Sequence, residues 1–590
     1  MKKRFLVFFA VFSLCASLFA QVSLDPNDPF YADAKNWETA GIVNWLPQIR
    51  PYSVQAVKKI LNQVKENGSE EDIKKAEFYE KKYFSKGWNA GIEIGDKANL
   101  SNASDLTKNM FYVAPRVWGD FNLGKYVGFG YKVGILVNKN DVTDAALLPM
   151  YYTSLFDTSN DPFSFGSFVA NWDITGSITF GLDNLYGLLS VNKVAYGPFI
   201  DDSVMLNGGQ FHTGNFGFVY EGDKFGYTHL FSILSRGTVN GKGMFMPEKF
   251  MGFQSYRFTP IKQLAISFFD AGVYTNRFDP SYLLPIPFYV MQATFSNSDN
   301  WAAGLTFDIR PIDKLGISLC GVIDDVDLNS FVKGDFNSRF KFALQGGINY
   351  TPSVKFIDNL SLDYTINAPY TLTHSTSSVY LENLSGLSPS ELKAVVEANY
   401  NRDLFTTHTS NLGTKLPPNS DRIQFKAKFT PTDRLKLDFS TTFVRHANIA
   451  EGFTNEEAKQ YLQANYNLAT ADASSPVPNY LSTDGSIWTA PLSLPSRERN
   501  NFLRQEHVMY ILQLGLNAEY ELERMKWGSM VFNFGYMFEY IYNKGVDSDI
   551  YKTGVNNPTD ADVAAAKAQW VANLRNVFNN YFSVSVKYYY

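Results

Sequence analysis

Six histidines, His212, His229, His374, His408, His446 and His507, are the residues best suited to hold a metal or move a proton. None falls at the spacing that turns two imidazoles to one face of a helix, so no metal site is expected. His229 and Ser235 share one face of a strand pattern, which would suit a nucleophile and its base, but such a pair six residues apart on one strand is ordinarily a coincidence. Gly237–Gly243 (GTVNGKG) lacks the spacing of a phosphate-binding loop and reads as a flexible connection. No catalytic residue and no cofactor is therefore expected, and the chain reads as a non-enzyme.

The acidic pairs Asp201-Asp202 and Asp324-Asp325 stand where strand patterns end. The bland reading is a solvated loop edge. The functional one is sugar recognition, with carboxylates accepting hydroxyl protons and nearby rings stacking on sugar faces.

These residues need a scaffold, and its nature follows from the ends of the chain. Lys2, Lys3 and Arg4 precede the apolar run Phe5–Leu14 and the small residues Ala16, Ser17 and Ala20, the layout of a cleaved secretory signal over residues 1–20. Cys15 opens a second route, lipidation, but bulky Leu14 stands where a small residue is wanted. Cleavage leaves Cys320 as the one thiol, a small apolar filler with no disulfide partner. The formal net charge of −5 becomes −8 once the three basic signal residues are gone, which argues against nucleic acid as a partner.

From Pro29 to about Ser85 the apolar spacing is helical. Val54, Val57, Ile60, Leu61 and Val64 follow Ser53 at three- and four-residue intervals, and Ser69 with Asp72 forms a capping box for a further helix ending near Phe84. Lys58, Lys59, Lys65, Lys74 and Lys75 give this module, residues 21–87, a soluble character.

After Trp88 the period changes to two. Phe129, Tyr131, Val133, Ile135 and Val137 alternate with Gly128, Gly130, Lys132, Gly134 and Leu136, and Phe225, Tyr227, His229, Phe231 and Ile233 share a later face. Aromatic residues make up 16% of the chain, and after the signal no stretch reaches the roughly 18 apolar residues of a membrane helix. A soluble all-β protein would show the same alternation. The turn rhythm separates the two. Short turns at Leu123–Tyr126, Gly181–Leu185, Glu221–Lys224, Thr259–Gln263, Arg310–Lys314, Thr351–Asn359, Thr430–Arg434 and Glu521–Lys526 alternate with long polar connections. Four of them repeat a phrase, Thr259-Pro260, Arg310-Pro311, Thr351-Pro352 and Thr430-Pro431, each leading to a leucine that opens the next strand.

Eight short turns join sixteen strands, and single strands near Trp88–Asp96 and Tyr581–Tyr590 complete the set. The fold expected over residues 88–590 is an all-β membrane barrel of about 18 antiparallel transmembrane strands, preceded by a small N-terminal periplasmic helical module. It is integral to the outer membrane, with the lipid bilayer as its first partner. Phe582, Val584, Val586, Tyr588 and Tyr590 occupy one face of the last strand, and the terminal aromatic resembles the signal read by the outer-membrane barrel assembly machinery. Loop helices are expected at 388–400, 454–467 and 559–574, from the caps Ser388-Pro389-Glu391, Thr454/Glu457 and Thr559/Asp562.

With the barrel in view, further residues fall into a pattern. Tyr196-Gly197-Pro198 leads through Leu206-Asn207 to a new strand. Tyr256-Arg257-Phe258 precedes a proline turn, and Asp279-Pro280-Ser281-Tyr282-Leu283-Leu284-Pro285 is followed by Asp299-Asn300, Gly304, Asp308 and Asp324-Asp325. With Gly41-Ile42, Leu46-Pro47 and Arg50-Pro51-Tyr52-Ser53 in the helical module, this resembles the Wzi capsule-assembly family of outer-membrane barrels over roughly residues 29 to 330. The resemblance implies an eighteen-stranded barrel with a periplasmic helical bundle, acting as a lectin-like binder of surface (capsular) polysaccharide. On that reading Tyr196, Asp201, Asp202, Asp279, Tyr282, Asp324 and Asp325 are the candidate ligand-binding residues. The segment Asp270-Ala271-Gly272 matches the family only loosely, and the loops after Asn367 are individual. Two other barrel functions stay open, a diffusion porin and a fatty-acid transporter, though the latter needs an apolar N-terminal plug that the lysine-rich helices do not suggest.

Overall fold

The computed structural model describes residues 25–84, 88–123, 127–139, 147–152, 163–182, 184–209, 212–234, 248–275, 277–284, 289, 299–326, 329, 332–334, 340–354, 356–373, 405–407, 410–432, 434–448, 451, 454–470, 502–522, 528–545, 550–551 and 553–590. The signal over 1–20, the loop helix at 388–400, the GTVNGKG loop, His374, His408 and Ser235 lie outside these residues.

Period-two alternation becomes a closed antiparallel barrel of 18 strands. In chain order they are β1 (Trp88–Ser101), β2 (Lys108–Leu123), β3 (Val127–Lys139), β4 (Phe168–Gly181), β5 (Leu185–Asn192), β6 (Thr213–Glu221), β7 (Phe225–Leu234), β8 (Lys249–Ile261), β9 (Leu264–Thr275), β10 (Asn300–Ile312), β11 (Leu315–Val326), β12 (Phe340–Tyr350), β13 (Ile357–Asn367), β14 (Ser420–Thr432), β15 (Leu435–His446), β16 (Met509–Glu521), β17 (Ser529–Lys544) and β18 (Arg575–Tyr589). β18 pairs with β1 to close the seam, and Tyr590 N–H donates to Ala90 O at 2.9 Å just beyond it. The last strand begins six residues before the position expected from Tyr581, because Asn579 and Asn580 pair with β1 although their polar character reads as loop.

Ile94, Val133, Leu305, Leu344, Phe443, Phe534 and Val584 are exposed on the outside, as a lipid-facing belt requires, and no described helix is long and apolar enough to cross a membrane. The strand ends joined by the eight expected short turns lie at one end of the barrel, and the strand ends joined by the longer connections lie at the other.

The repeated proline phrase has a structural reason. In three of the four turns two residues oppose one across the hairpin, so that Thr259-Pro260, Arg310-Pro311 and Thr430-Pro431 form a bulge beside the turn. Proline has no N–H to lose from the ladder there. The residue before each proline uses its own N–H to reach the preceding turn, Thr259 to Lys224 O, Arg310 to Gln263 O and Thr351 to Lys314 O at 2.9 Å, and Thr430 to Phe356 O at 3.1 Å. The phrase stitches this rim together.

The N-terminal module consists of α1 (Pro29–Thr39), α2 (Val54–Asn67) and α3 (Glu70–Phe84) around Phe30, Tyr31, Trp37, Val57, Leu61, Val64 and Tyr79. Asp28 caps α1 through Phe30 N–H, and the Ser69/Asp72 box opens α3. While α2 and α3 carry the solvated lysines, α1 and the segment after it enter the barrel from the short-turn end. Arg310 donates to Glu38 O (2.9 Å) and Val43 O (3.2 Å) and lies 3.8 Å over the Trp45 ring, and Arg257 donates to Leu46 O at 2.7 Å. Deeper in, Ile49-Arg50 pairs with Ala195-Tyr196, a two-residue bridge between the entering segment and the β5–β6 connection descending from the opposite end.

Ile49, Tyr196, Phe199, Val204, Met205, Leu206, Phe253, Phe269, Leu372, Phe405 and Leu412 then form one apolar core inside the lumen. The sequence shows only a helical module preceding the barrel. Its insertion was not legible, because the residues that receive it are single lumen-facing polar groups spread over many strands.

Among the long connections, α4 (Asn455–Thr470) and α5 (Asp560–Asn573) form at the expected caps and pack together through Ala458, Leu462, Tyr551, Val563 and Trp570. Residues 147–152 fold onto the mouth. Met150 N–H donates to the buried Glu539 (2.7 Å), Gln513 donates to Met150 O (2.9 Å), and Tyr151 OH meets His446 Nδ1 at 2.5 Å. Met150 and Tyr151 pack on an apolar patch of the wall made by Val444, Met509, Ile511, Ile541 and Val577 of β15 to β18.

Candidate lumenal binding site

The candidate ligand residues do not converge on one site. Tyr196 is fully buried in the lumenal core, edge-on to Phe253 at 4.9 Å, with its hydroxyl 3.0 Å from Ser255 Oγ. Asp324 and Asp325 stand at the long-loop end of β11, as expected, where Asp324 accepts Leu372 N–H at 2.9 Å and Asp325 lies 3.9 Å from Lys341.

Asp279 and Tyr282 sit elsewhere again, on the outside of the wall. Asp279 caps the short turn of helix at Pro280–Leu283, accepting Ser281 N–H at 3.0 Å. This turn lays Tyr282 over Gly252 and Gly272, a cross-strand glycine pair on the lipid-facing side of β8 and β9. The ring stacks on Tyr274 (4.5 Å), its hydroxyl donates to Asp299 (2.7 Å), and its carbonyl lies 2.9 Å from His229 Nε2. Tyr289 N–H reaches Asp270 in the same place. His229, Gln254 and Asp270 are outward-facing polar residues in a wall otherwise apolar, and residues 277–284 with Tyr289 shield them from lipid. His229 thus has a structural partner, and Asp270-Gly272, only loosely familiar in sequence, is the floor of this flap.

Asp201 and Asp202 were expected at an outer loop edge; the structure carries them into the lumen on the descending β5–β6 connection, where they border a cavity. The floor is α1, through Lys35 and Asn36, and one wall is Pro198–Asp202. The rest comes from inward positions of β11–β14: Ser318, Gln345, Asn349, Asn359, Ser361, Asp363, Arg422, Gln424, Lys426 and Lys428. The volume is about 80 Å³.

Most of the cavity charge is internally paired. Lys426 bonds Asp201 and holds that carboxyl well below the usual carboxylate range. Arg422 donates to Asp202 at 2.7 Å. Lys35 lies between Glu38 (2.6 Å) and Asp308 (3.4 Å), and although burial opposes its charge, the two carboxylates overcome this and raise its pKa. Sequence reading missed Arg422, Gln424, Lys426 and Lys428, yet their signal was present: four polar residues alternate with Ile423, Phe425, Ala427 and Phe429 on one strand.

The opposite half of the lumen is lined by small and polar residues with ion pairs such as Glu93–Arg116 (3.0 Å) and Lys132–Asp173 (2.8 Å). In the long-loop cap, His507 and Glu451 are paired at 2.5 Å beside Glu506. Phe582, Tyr588 and Tyr590 lie at the closing seam, where Tyr590 stacks on Trp88 at 5.7 Å.

An even-numbered antiparallel barrel with an apolar exterior, a polar and plugged interior, short turns at one end and long loops at the other defines an outer-membrane β-barrel. Among solved structures it is similar to Wzi of Escherichia coli, described as an outer membrane protein involved in group 1 capsule assembly and a carbohydrate-binding β-barrel. The match covers 95% of this chain and 98% of that one, at 10% sequence identity and a TM-score of 0.51. The expected likeness to the Wzi family thus holds for the fold.

Two Pseudomonas aeruginosa barrels are also similar, OccD3 (OpdP) over 85% of this chain and 91% of that one, and OprD over 85% and 94%, each at 10% identity, with TM-scores of 0.38 and 0.37. No family model and no curated protein matches the sequence.

Proposed function

We propose that this chain is a closed outer-membrane barrel that binds surface polysaccharide, with its helical module in the periplasm and its last strand, ending in Phe582, Tyr588 and Tyr590, presented to the barrel assembly machinery. The observation that carries the reading is the filled lumen. Segments from both ends share one apolar core, and residues 147–152 pack against the wall of β15 to β18, an arrangement suited to anchoring a ligand rather than passing solutes. The likeness to a carbohydrate-binding barrel supports the same reading. Glycan-array binding by the refolded barrel tests it: retention of acidic or neutral surface polysaccharides is expected, and no binding to any polysaccharide of the source bacterium would overturn it.

A second reading, a porin or solute channel, is favoured by one observation. The polar half of the lumen between β14 and β4 is lined with charged pairs of the kind that line aqueous pores.

A further inference from the structure

We propose that the lumenal cavity is a subsite for a single neutral sugar residue, held by Asp363, Gln345 and Lys428. The inference rests on the carbohydrate-binding reading and gives it an internal contact in addition to the long loops.

Three observations carry it. First, partner accounting leaves several lining groups for a ligand, Gln345, Asp363 and Lys428 among them. Lys426, Arg422 and Lys35 are taken by carboxylates. Gln345 is only 2% exposed, and its Nε2 donates to Asp202 O at 2.9 Å, but its Oε1 is buried with no hydrogen-bond partner among the described residues. A buried acceptor left unpaired costs about 1–3 kcal/mol, so something polar belongs there. Asp363 and Lys428 border the same space, each without a hydrogen bond to a described residue.

Second, the Asp363 carboxylate and the Lys428 ammonium are opposite in sign, and the charges around them are mixed as well, Lys426 beside Asp363 and Asp438 beside Lys428. A charged guest would bring an uncompensated charge into a buried site, whereas a polyol brings none. Sugar hydroxyls both donate and accept, which suits a lining that offers the acceptors Gln345 Oε1 and Asp363 and the donor Lys428.

Third, the size fits. A volume of about 80 Å³, at roughly 10–15 Å³ for each water, holds about six waters, the bulk of one pyranose ring. The Pro198–Ile200 edge supplies an apolar wall for the ring's carbon face.

The test uses the full-length barrel in detergent micelles, titrated with free glucose, galactose and mannose, with glucuronate as the charged comparison, by calorimetry or saturation-transfer NMR. At least one neutral hexose is expected to bind at millimolar concentration and glucuronate to bind less well. Asp363→Asn and Lys428→Met should each weaken the hexose about tenfold, with heat-modifiable migration in gels confirming that the variants fold. Absence of hexose binding, or binding unchanged in both variants, would mean that the cavity holds only water. The two ideas fail separately: polysaccharide retained on the array without monosaccharide binding sinks the subsite alone, while monosaccharide binding without any array signal sinks the surface role alone.

Discussion

Replacing Gly252 with alanine puts the wall-covering flap to a direct test. A Cβ at Gly252 would lie 2.6 Å from Tyr282 Cδ1 and 3.2 Å from Tyr289 Cζ, and the facing Gly272 already sits close beneath the same ring. Tyr282 has nowhere to retreat, since its ring stacks on Tyr274 and its hydroxyl and carbonyl are bonded to Asp299 and His229. Overpacking of this kind costs about 1–3 kcal/mol, a factor of about 5 to 150 in the population of the lifted flap. Hydrogen exchange of residues 277–284 and of Tyr289 in micelles should quicken by that factor. Gly176→Ala is the control, an outward-facing glycine of β4 whose added Cβ would meet nothing nearer than Gly130 O at 3.9 Å. Equal exchange in Gly252→Ala, Gly176→Ala and the unaltered protein would refute the placement of the flap.

Removing the Arg310 side chain deletes two charged hydrogen bonds and the Trp45 contact, about 2–4 kcal/mol of docking in all. Residues 29–84 should then become sensitive to limited proteolysis while the barrel stays heat-modifiable, and unchanged protection would contradict the plug. Within the module, burial raises the Asp33 pKa, but Lys75 at 3.0 Å and the Tyr79 hydroxyl at 2.6 Å outweigh it, and the net shift is downward. A depressed carboxylate stabilises the fold above its unfolded pKa of about 3.9 and loses that contribution as pH falls through the folded value. Acid titration of tyrosine near-ultraviolet dichroism should therefore show the module loosening only below about pH 4. Asp33→Asn should remove this acid-dependent component, and an unchanged acid transition would count against it.

Strand number, turn ends and two loop helices were legible because each is written locally, in alternation, in the proline phrase and in side chains that cap a helix three residues away. The likeness quoted for Tyr196, Arg257, Asp279, Tyr282 and Asp308 was legible too, but its meaning was not. Arg257 and Asp308 receive the N-terminal segment, Tyr196 anchors the lumenal core, and Asp279 with Tyr282 secures the flap. Such residues look functional from sequence because they are polar or aromatic beside strand ends. Their partners lie up to several hundred positions away, as Lys35 and Asp308 do, and no periodicity reports that. The cavity escaped for a related reason: Asp201 belongs to a connection that turns inward, and alternation cannot tell an inward loop from an outward one.

A lumen occupied by the chain's own segments is what separates a binder from a channel. Single-channel recording in planar bilayers measures this most directly. The plugged lumen predicts a baseline without sustained current at moderate voltage, with conductance appearing only when residues 29–53 are deleted. A large, stable open-state current from the intact protein would contradict it and favour a solute channel.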